Sequence, residues 1–170
     1  MGEAGVFAPE ARLELIEGEI VEMAPIGSPH AAAVRILNAV FVRLAGDRAI
    51  ISVQSPLLVG GLSVPEPDLV LLKPRVDHYS RSHPAAGDAL LVVEVSDTTL
   101  ACDLGTKVPL YARSGIPEVW VVDINAKEVR VFREPAAGGY RTTFNRSGDE
   151  SVAAALLPDI AIRVGALFPE

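Results

Sequence analysis

The chain has 170 residues, 49% hydrophobic and 22% charged, with 15 basic and 22 acidic side chains and a formal net charge of −7. That length suits one domain with its own core, and the composition is globular rather than disordered. The acidic balance argues against holding nucleic acid by bulk charge, but not against an enzyme that meets phosphates through a carboxylate-held metal.

The longest apolar runs, such as Ala89–Val93 and Val119–Val122, are strand-sized, so no segment is expected to span a bilayer. No charged start leads into an apolar signal region, and Cys102 is a lone cysteine, which together predict a cytoplasmic protein. There is no repeat, low-complexity tract or linker, so residues 1–170 are read as a single domain.

In chain order, Arg12–Glu17 and Glu19–Met23 alternate apolar with charged residues around Gly18, which predicts a β-hairpin. Ser28–Ala45 places Val34, Leu37, Phe41 and Leu44 at helical spacing, with Ser28 as a candidate N-cap. Ala49–Gln54 reads as a strand that Ser55–Val59 extends or pairs with. Asp68–Leu72 and Leu90–Ser96 read as buried strands separated by a polar loop, Arg75–Gly87. A helix is expected between Cys102 and Ser114, stopped by Gly115. Val119–Asp123, Glu128–Phe132 and Tyr140–Phe144 read as three strands, with turns at Asn125–Ala126 and Gly138–Gly139. Leu156–Phe168 closes the core as a short strand or turn. Strand-rich and mixed, the class is α/β or α+β.

Two acids stand where a packed core would not ask for them. Glu94 interrupts an apolar strand and shares a face with Val92 and Ser96. Asp68 stands at the mouth of Leu69–Leu72, after Pro65-Glu66-Pro67. An unpaired buried carboxylate costs several kcal/mol, so each needs a cation, a hydrogen-bonding partner or an open cleft. Two readings are open: strand-end acids facing water or an arginine, or ligands of a hard cation such as Mg²⁺, which takes one or two carboxylates.

Lys107, one of three lysines against twelve arginines, lies four residues after Asp103 and four before Tyr111. It is either half of a surface ion pair with Asp103 or an ammonium aimed over the strand ends at a developing phosphorane charge. Pro109 leaves its direction open by about one turn. The loop residues Lys73, Arg75 and Arg81, with His78 and His83, form a locally basic stretch that either touches a nucleic-acid backbone or is simply solvated. The two histidines match no zinc spacing. Cys102 is expected to be a buried structural thiol, and Trp120 a core residue.

Pro67-Asp68, Glu94-Val95-Ser96, then Asp103 and Lys107 ahead of Leu110-Tyr111-Ala112-Arg113-Ser114-Gly115-Ile116-Pro117-Glu118-Val119-Trp120 resemble the Uma-type endonucleases, a branch of the PD-(D/E)xK restriction-endonuclease-like superfamily. The opening Leu13-Glu14-Leu15-Ile16-Glu17-Gly18-Glu19-Ile20-Val21 and His30 fit the same family. The resemblance runs from about Arg12 to Phe168.

It implies an α/β fold with a mixed central sheet flanked by helices and an N-terminal hairpin. It also implies metal ligation by Asp68 and Glu94, with Lys107 as the catalytic lysine. One departure is Ser96, two positions after Glu94, where the superfamily commonly has lysine; a lysine displaced to the following helix is a known variation. Glu17, His30 and Asp103 are candidate additions to the site.

Two functions from different classes follow. One is a Mg²⁺-dependent (or Mn²⁺-dependent) endonuclease acting on DNA. The other is a non-catalytic binding or scaffold module that keeps the fold. A mean hydropathy of +0.32 leaves apolar surface for a partner, so a homodimer is expected.

Overall fold

The computed structural model describes residues 12–23 and 25–168. At its centre is a six-stranded mixed sheet, in the order β3 (Ile50–Val53), β4 (Leu69–Leu72), β5 (Ala89–Ser96), β6 (Glu118–Asp123), β7 (Glu128–Ala136), β8 (Gly139–Ser147). Every neighbouring pair is antiparallel except β5 and β6, which run parallel. A parallel pair needs a crossover, and the helical segment between the two strands provides it. As expected, the two acid-bearing strands β4 and β5 are neighbours, with Leu69 opposite Val93.

The period-2 alternation of these strands separates two cores. On one face Leu69, Leu71, Leu91, Val93, Val95, Trp120 and Val122 meet Val34, Leu37 and Phe41 of helix α1 (Ser28–Ala45). On the other, Val70, Val92, Val119 and Val121 meet Val108, Leu110 and Tyr111 of helix α3 (Val108–Arg113). Burying a side chain such as Leu37 or Phe41 contributes ~1.5–3 kcal/mol. Among the described residues no helix is long and apolar enough to cross a membrane.

The N-terminal hairpin pairs β1 (Leu13–Ile16) with β2 (Glu19–Glu22) through Glu17 and Gly18. Both turn residues have positive φ, 51° and 88°, the backbone of a two-residue type I′ turn. Gly27, not Ser28, caps α1, and no side chain bonds there. Ser55–Val59 neither extends nor pairs with β3. Gln54 takes a φ of 44°, turning the chain, and Leu57 donates its N–H to the Pro65 carbonyl instead.

The expected helix after Cys102 is interrupted. A short α2 (Leu100–Cys102) passes into a π-helical turn, Asp103–Lys107, before α3 begins. Pro109 explains the widening: it has no N–H for the carbonyl of Gly105, and its ring would crowd that carbonyl in a tight α turn. The helix ends as anticipated, with Gly115 at φ 76° and the N–H groups of Gly115 and Ile116 bonded to Ala112 and Tyr111. Past β8, Leu156–Phe168 supplies the expected closing strand, β10 (Leu157–Arg163), and β9 (Ser151–Ala154), not foreseen from the sequence, pairs with it as a second hairpin.

Candidate active site

At the start of β4 and the end of β5 lies a cavity of about 460 Å³, bordered by the N-terminal hairpin, the first turn of α1 and the segment Asp97–Lys107. Ligands in α/β sheets favour the carboxyl ends of parallel strands, where β5 and β6 end here. Asp68, Glu94, Asp103, Lys107 and His30 all line it.

Asp68 is held by three donors. Val95 N–H reaches Oδ2 at 2.9 Å, Gln54 Nε2 reaches Oδ1 at 3.1 Å, and His30 Nε2 lies 3.0 Å from Oδ2. Burial pushes its pKa up, but the His30 contact and these bonds outweigh it, so the carboxyl stays below its ordinary value. The same contact raises the pKa of His30, against its own burial. His30 Nδ1 is buried with no partner among the described residues.

Glu94 is only 3% exposed. Its Oε1 accepts the Tyr111 hydroxyl at 2.5 Å and lies 3.4 Å from Lys107 Nζ. Burial raises its pKa to about 8; the Lys107 charge opposes this, and the anions of Asp103 and Asp68 add to it. Lys107 Nζ also donates to Glu14 Oε1 at 3.0 Å. Burial would strip its proton, yet Glu94, Glu14 and Asp103 outweigh that, and its pKa is raised. Asp103 Oδ2 accepts the hydroxyls of Ser96 at 2.6 Å and Thr99 at 2.7 Å, while burial raises its pKa.

Lys107 and Asp103 therefore do not form a surface ion pair with each other. Both are buried, and each has partners from other parts of the chain. Glu17 stands outside the cavity, exposed at the hairpin turn and bound to Arg113 at 2.5 Å. Lys73, Arg75 and Arg81 lie in the loop from the end of β4 to the start of β5. That is the opposite end of the sheet, a four-residue strand or ~13 Å away. Arg75 is moreover neutralised by Asp77 at 2.5 Å and 2.7 Å. Cys102 is exposed and lines the cavity rather than being buried, because it ends α2 just before the inward-facing Asp103. Trp120 is fully buried, as expected.

Three partners in this arrangement escaped sequence reasoning: Glu14, Tyr111 and Gln54. Glu14 was hidden by its pattern, since alternation in Leu13–Ile16 makes the charged positions look outward, whereas Glu14 and Ile16 are the buried pair. Tyr111 was visible as the residue one helical turn beyond Lys107.

Among the described residues, no group of three or more His, Cys, Asp or Glu is already gathered as a metal cage. The donor chemistry nevertheless fits a hard divalent cation. The cavity lining has seven carboxylates against Arg12, Lys107 and His30, and Glu94 keeps Oε2 without a partner among the described residues. A cation of the Mg²⁺ type needs one or two carboxylates and fills its other positions with water or substrate oxygens.

This mixed sheet has helices on its faces and a hairpin before it. The family model described as "Uma2: Putative restriction endonuclease" matches residues 3–165, and the chain belongs to that family. In fold it is similar to the crystal structure of "a putative nuclease belonging to DUF820" from Anabaena variabilis. That match has a TM-score of 0.73 and 17% identity, and covers 94% of this chain and 90% of that one. The type IIG restriction endonuclease BpuSI overlaps more loosely, with a TM-score of 0.40, 18% identity, and 66% of this chain against 13% of that one. No curated protein matches the chain.

Proposed function

We propose that the protein is a divalent-metal-dependent endonuclease that hydrolyses phosphodiester bonds in DNA, acting as one domain over residues 1–170. The observation that carries this reading is the meeting of Asp68, Glu94 and Lys107, from three separate stretches of chain, in one acidic cavity. The family description and the fold likeness point the same way.

In this reading Asp68 and Glu94 hold Mg²⁺, or Mn²⁺ in its place. When bound, such an ion supplies Lewis acidity to the phosphate and makes a water acidic enough to attack at neutral pH. The chain's own residues do the rest. His30, Gln54 and the Val95 N–H keep the Asp68 carboxylate ionised and oriented. Tyr111 fixes Glu94 through one oxygen, leaving the other for the ion. Lys107 brings a compact positive charge to the attacking water and to the negative charge that develops on the phosphate oxygens.

Metal-dependent cleavage of varied DNA substrates, run beside Asp68→Ala, tests the reading. Cleavage by the parent protein alone supports it; a parent inert with both Mg²⁺ and Mn²⁺ counts against it. A homodimer goes with this proposal, since cutting two strands is readily shared by two subunits. Exposed Ile20, Ile26, Val42 and Leu62 offer apolar contact surface. A monomer mass by light scattering at micromolar protein would remove the dimer. The cytoplasm is the proposed place of action, consistent with a free cysteine.

A further inference from the structure

We propose that Glu14 is a positioning residue of this site, a buried carboxylate that ties the segment delivering Asp68 to the ammonium of Lys107; its role in a reaction rests on the nuclease reading above. Glu14 lies in β1 and is 4% exposed. Its Oε1 accepts the Glu66 N–H at 2.8 Å and Lys107 Nζ at 3.0 Å, contacts that span 52 and 93 residues of sequence.

Both partners are informative. Glu66 lies between Pro65 and Pro67, so its N–H is the one backbone donor of that triplet, two residues before Asp68. Lys107 has a flexible four-carbon stem, and a charge on such a stem is placed only if something holds it. One oxygen atom therefore sets the distance between the approach to Asp68 and the lysine head.

The hairpin does not need this carboxylate to stay docked. Val64 N–H bonds the Leu15 carbonyl at 2.7 Å, Glu17 N–H bonds Ser63 Oγ at 2.8 Å, and Gly18 N–H bonds the Leu62 carbonyl at 2.8 Å. An apolar residue beside Ile16 would pack on the same face without the cost of burying a charge. Glu14 is thus accounted for by what it holds.

The test uses lysine-labelled protein, in which Lys73, Lys107 and Lys127 are the only side chains observed. Nuclear magnetic relaxation of the Cε groups should show Lys107 ordered, with the exposed Lys73 and Lys127 more mobile. Glu14→Ala should raise the mobility of Lys107 measurably toward that of Lys127, with Glu94 at 3.4 Å as its remaining carboxylate partner. Glu14→Gln, whose amide oxygen accepts the same two bonds, should fall between. Mn²⁺ binding by calorimetry should persist in both variants and vanish in Glu94→Ala. On DNA that the parent cleaves, Glu14→Ala should lower kcat by about 10–100-fold with KM little changed, and Glu14→Gln should restore part of the loss.

Lys107 as ordered in Glu14→Ala as in the parent would overturn the proposal. So would loss of Mn²⁺ binding in Glu14→Ala, which would make Glu14 a ligand. If Glu14→Ala does not fold, Glu14→Gln decides by the same signal: raised Lys107 mobility supports the proposal, and unchanged mobility overturns it. A parent that cleaves no DNA while Lys107 responds as described would remove the nuclease reading and leave the Glu14–Lys107 tie standing.

Discussion

Glu94 and Glu118 are buried glutamates on the neighbouring strands β5 and β6, 3% and 0% exposed, and their surroundings are opposite. Both oxygens of Glu118 are filled. Trp120 Nε1 and Arg133 Nε each donate to Oε1 at 2.8 Å, and the Ala155 N–H donates to Oε2 at 2.6 Å. Arg133 continues to the Ala153 carbonyl, which fastens the sheet to the loop and strand of the second hairpin. Glu94 has both of its contacts on one oxygen and has Asp68 and Asp103 for neighbours. A buried carboxylate surrounded by donors is complete within the protein. One crowded by other anions, with an oxygen to spare, leaves room for the cation that the proposed function calls for.

The sharpest way to break this comparison is to remove each acid. Glu94→Ala or Asp68→Ala should end divalent-ion binding and lower cleavage by roughly 10³-fold or more, the scale expected when residues act as a unit. Calorimetry beside cleavage rates checks both. If Glu94→Ala binds the ion and cuts like the parent, the site is misassigned.

Glu118→Ala should behave in the other way. It leaves Arg133 Nε, Trp120 Nε1 and the Ala155 N–H without their acceptor, which should cost about 3–5 kcal/mol in urea unfolding, while the folded fraction still binds the ion. Stability unchanged in that variant would mean the Arg133 network is dispensable.

Lys107→Ala should keep the ion bound, because an ammonium is not a metal ligand, and should slow cleavage by about 10²-fold. Lys107→Arg should restore only part, since a planar fork does not reproduce a compact charge at one water. The double variant with Asp68→Ala should be little worse than Asp68→Ala alone. Additive losses measured in single-turnover cleavage would separate the two residues.

The smallest effect is a pH dependence of stability. The folded pKa of Glu94, about 8, lies above its ordinary 4.5, so the folded metal-free protein keeps a proton that the unfolded chain releases between those values. Its contribution is complete below pH 4.5 and is lost as pH rises through about 8. Glu94→Gln should flatten that fall in a calorimetric Tm profile, and an equal slope in the variant would assign it elsewhere. Mg²⁺ should raise Tm more at the alkaline end, where no proton competes for the carboxylate.

Much of this could be read from the chain because it depends on neighbours in sequence. The hairpin follows from the Glu17-Gly18 turn, α1 from apolar residues at helical spacing, the helix stop from Gly115, and strands β4 and β5 from apolar runs with an acid in each. Asp68, Glu94 and Lys107 could be singled out because a charge in an apolar run or a scarce residue type is conspicuous without any structure.

Tertiary packing decided which charges meet. Leu13–Ile16 alternates as an outward-facing hairpin strand should, yet docking turned Glu14 inward and left Glu17 to Arg113. The π turn at Asp103–Lys107 separated two residues whose spacing suggests a helical ion pair, and sent Lys107 to Glu14 and Glu94. The basic loop of Lys73, Arg75 and Arg81 went to the far end of the sheet because β4 and β5 run antiparallel. Alternation and turn chemistry act over a few residues and leave their mark in the sequence itself. The partner of a buried charge is chosen by which segments the sheet and its two cores bring together, 52 or 93 residues apart, and no local pattern encodes that.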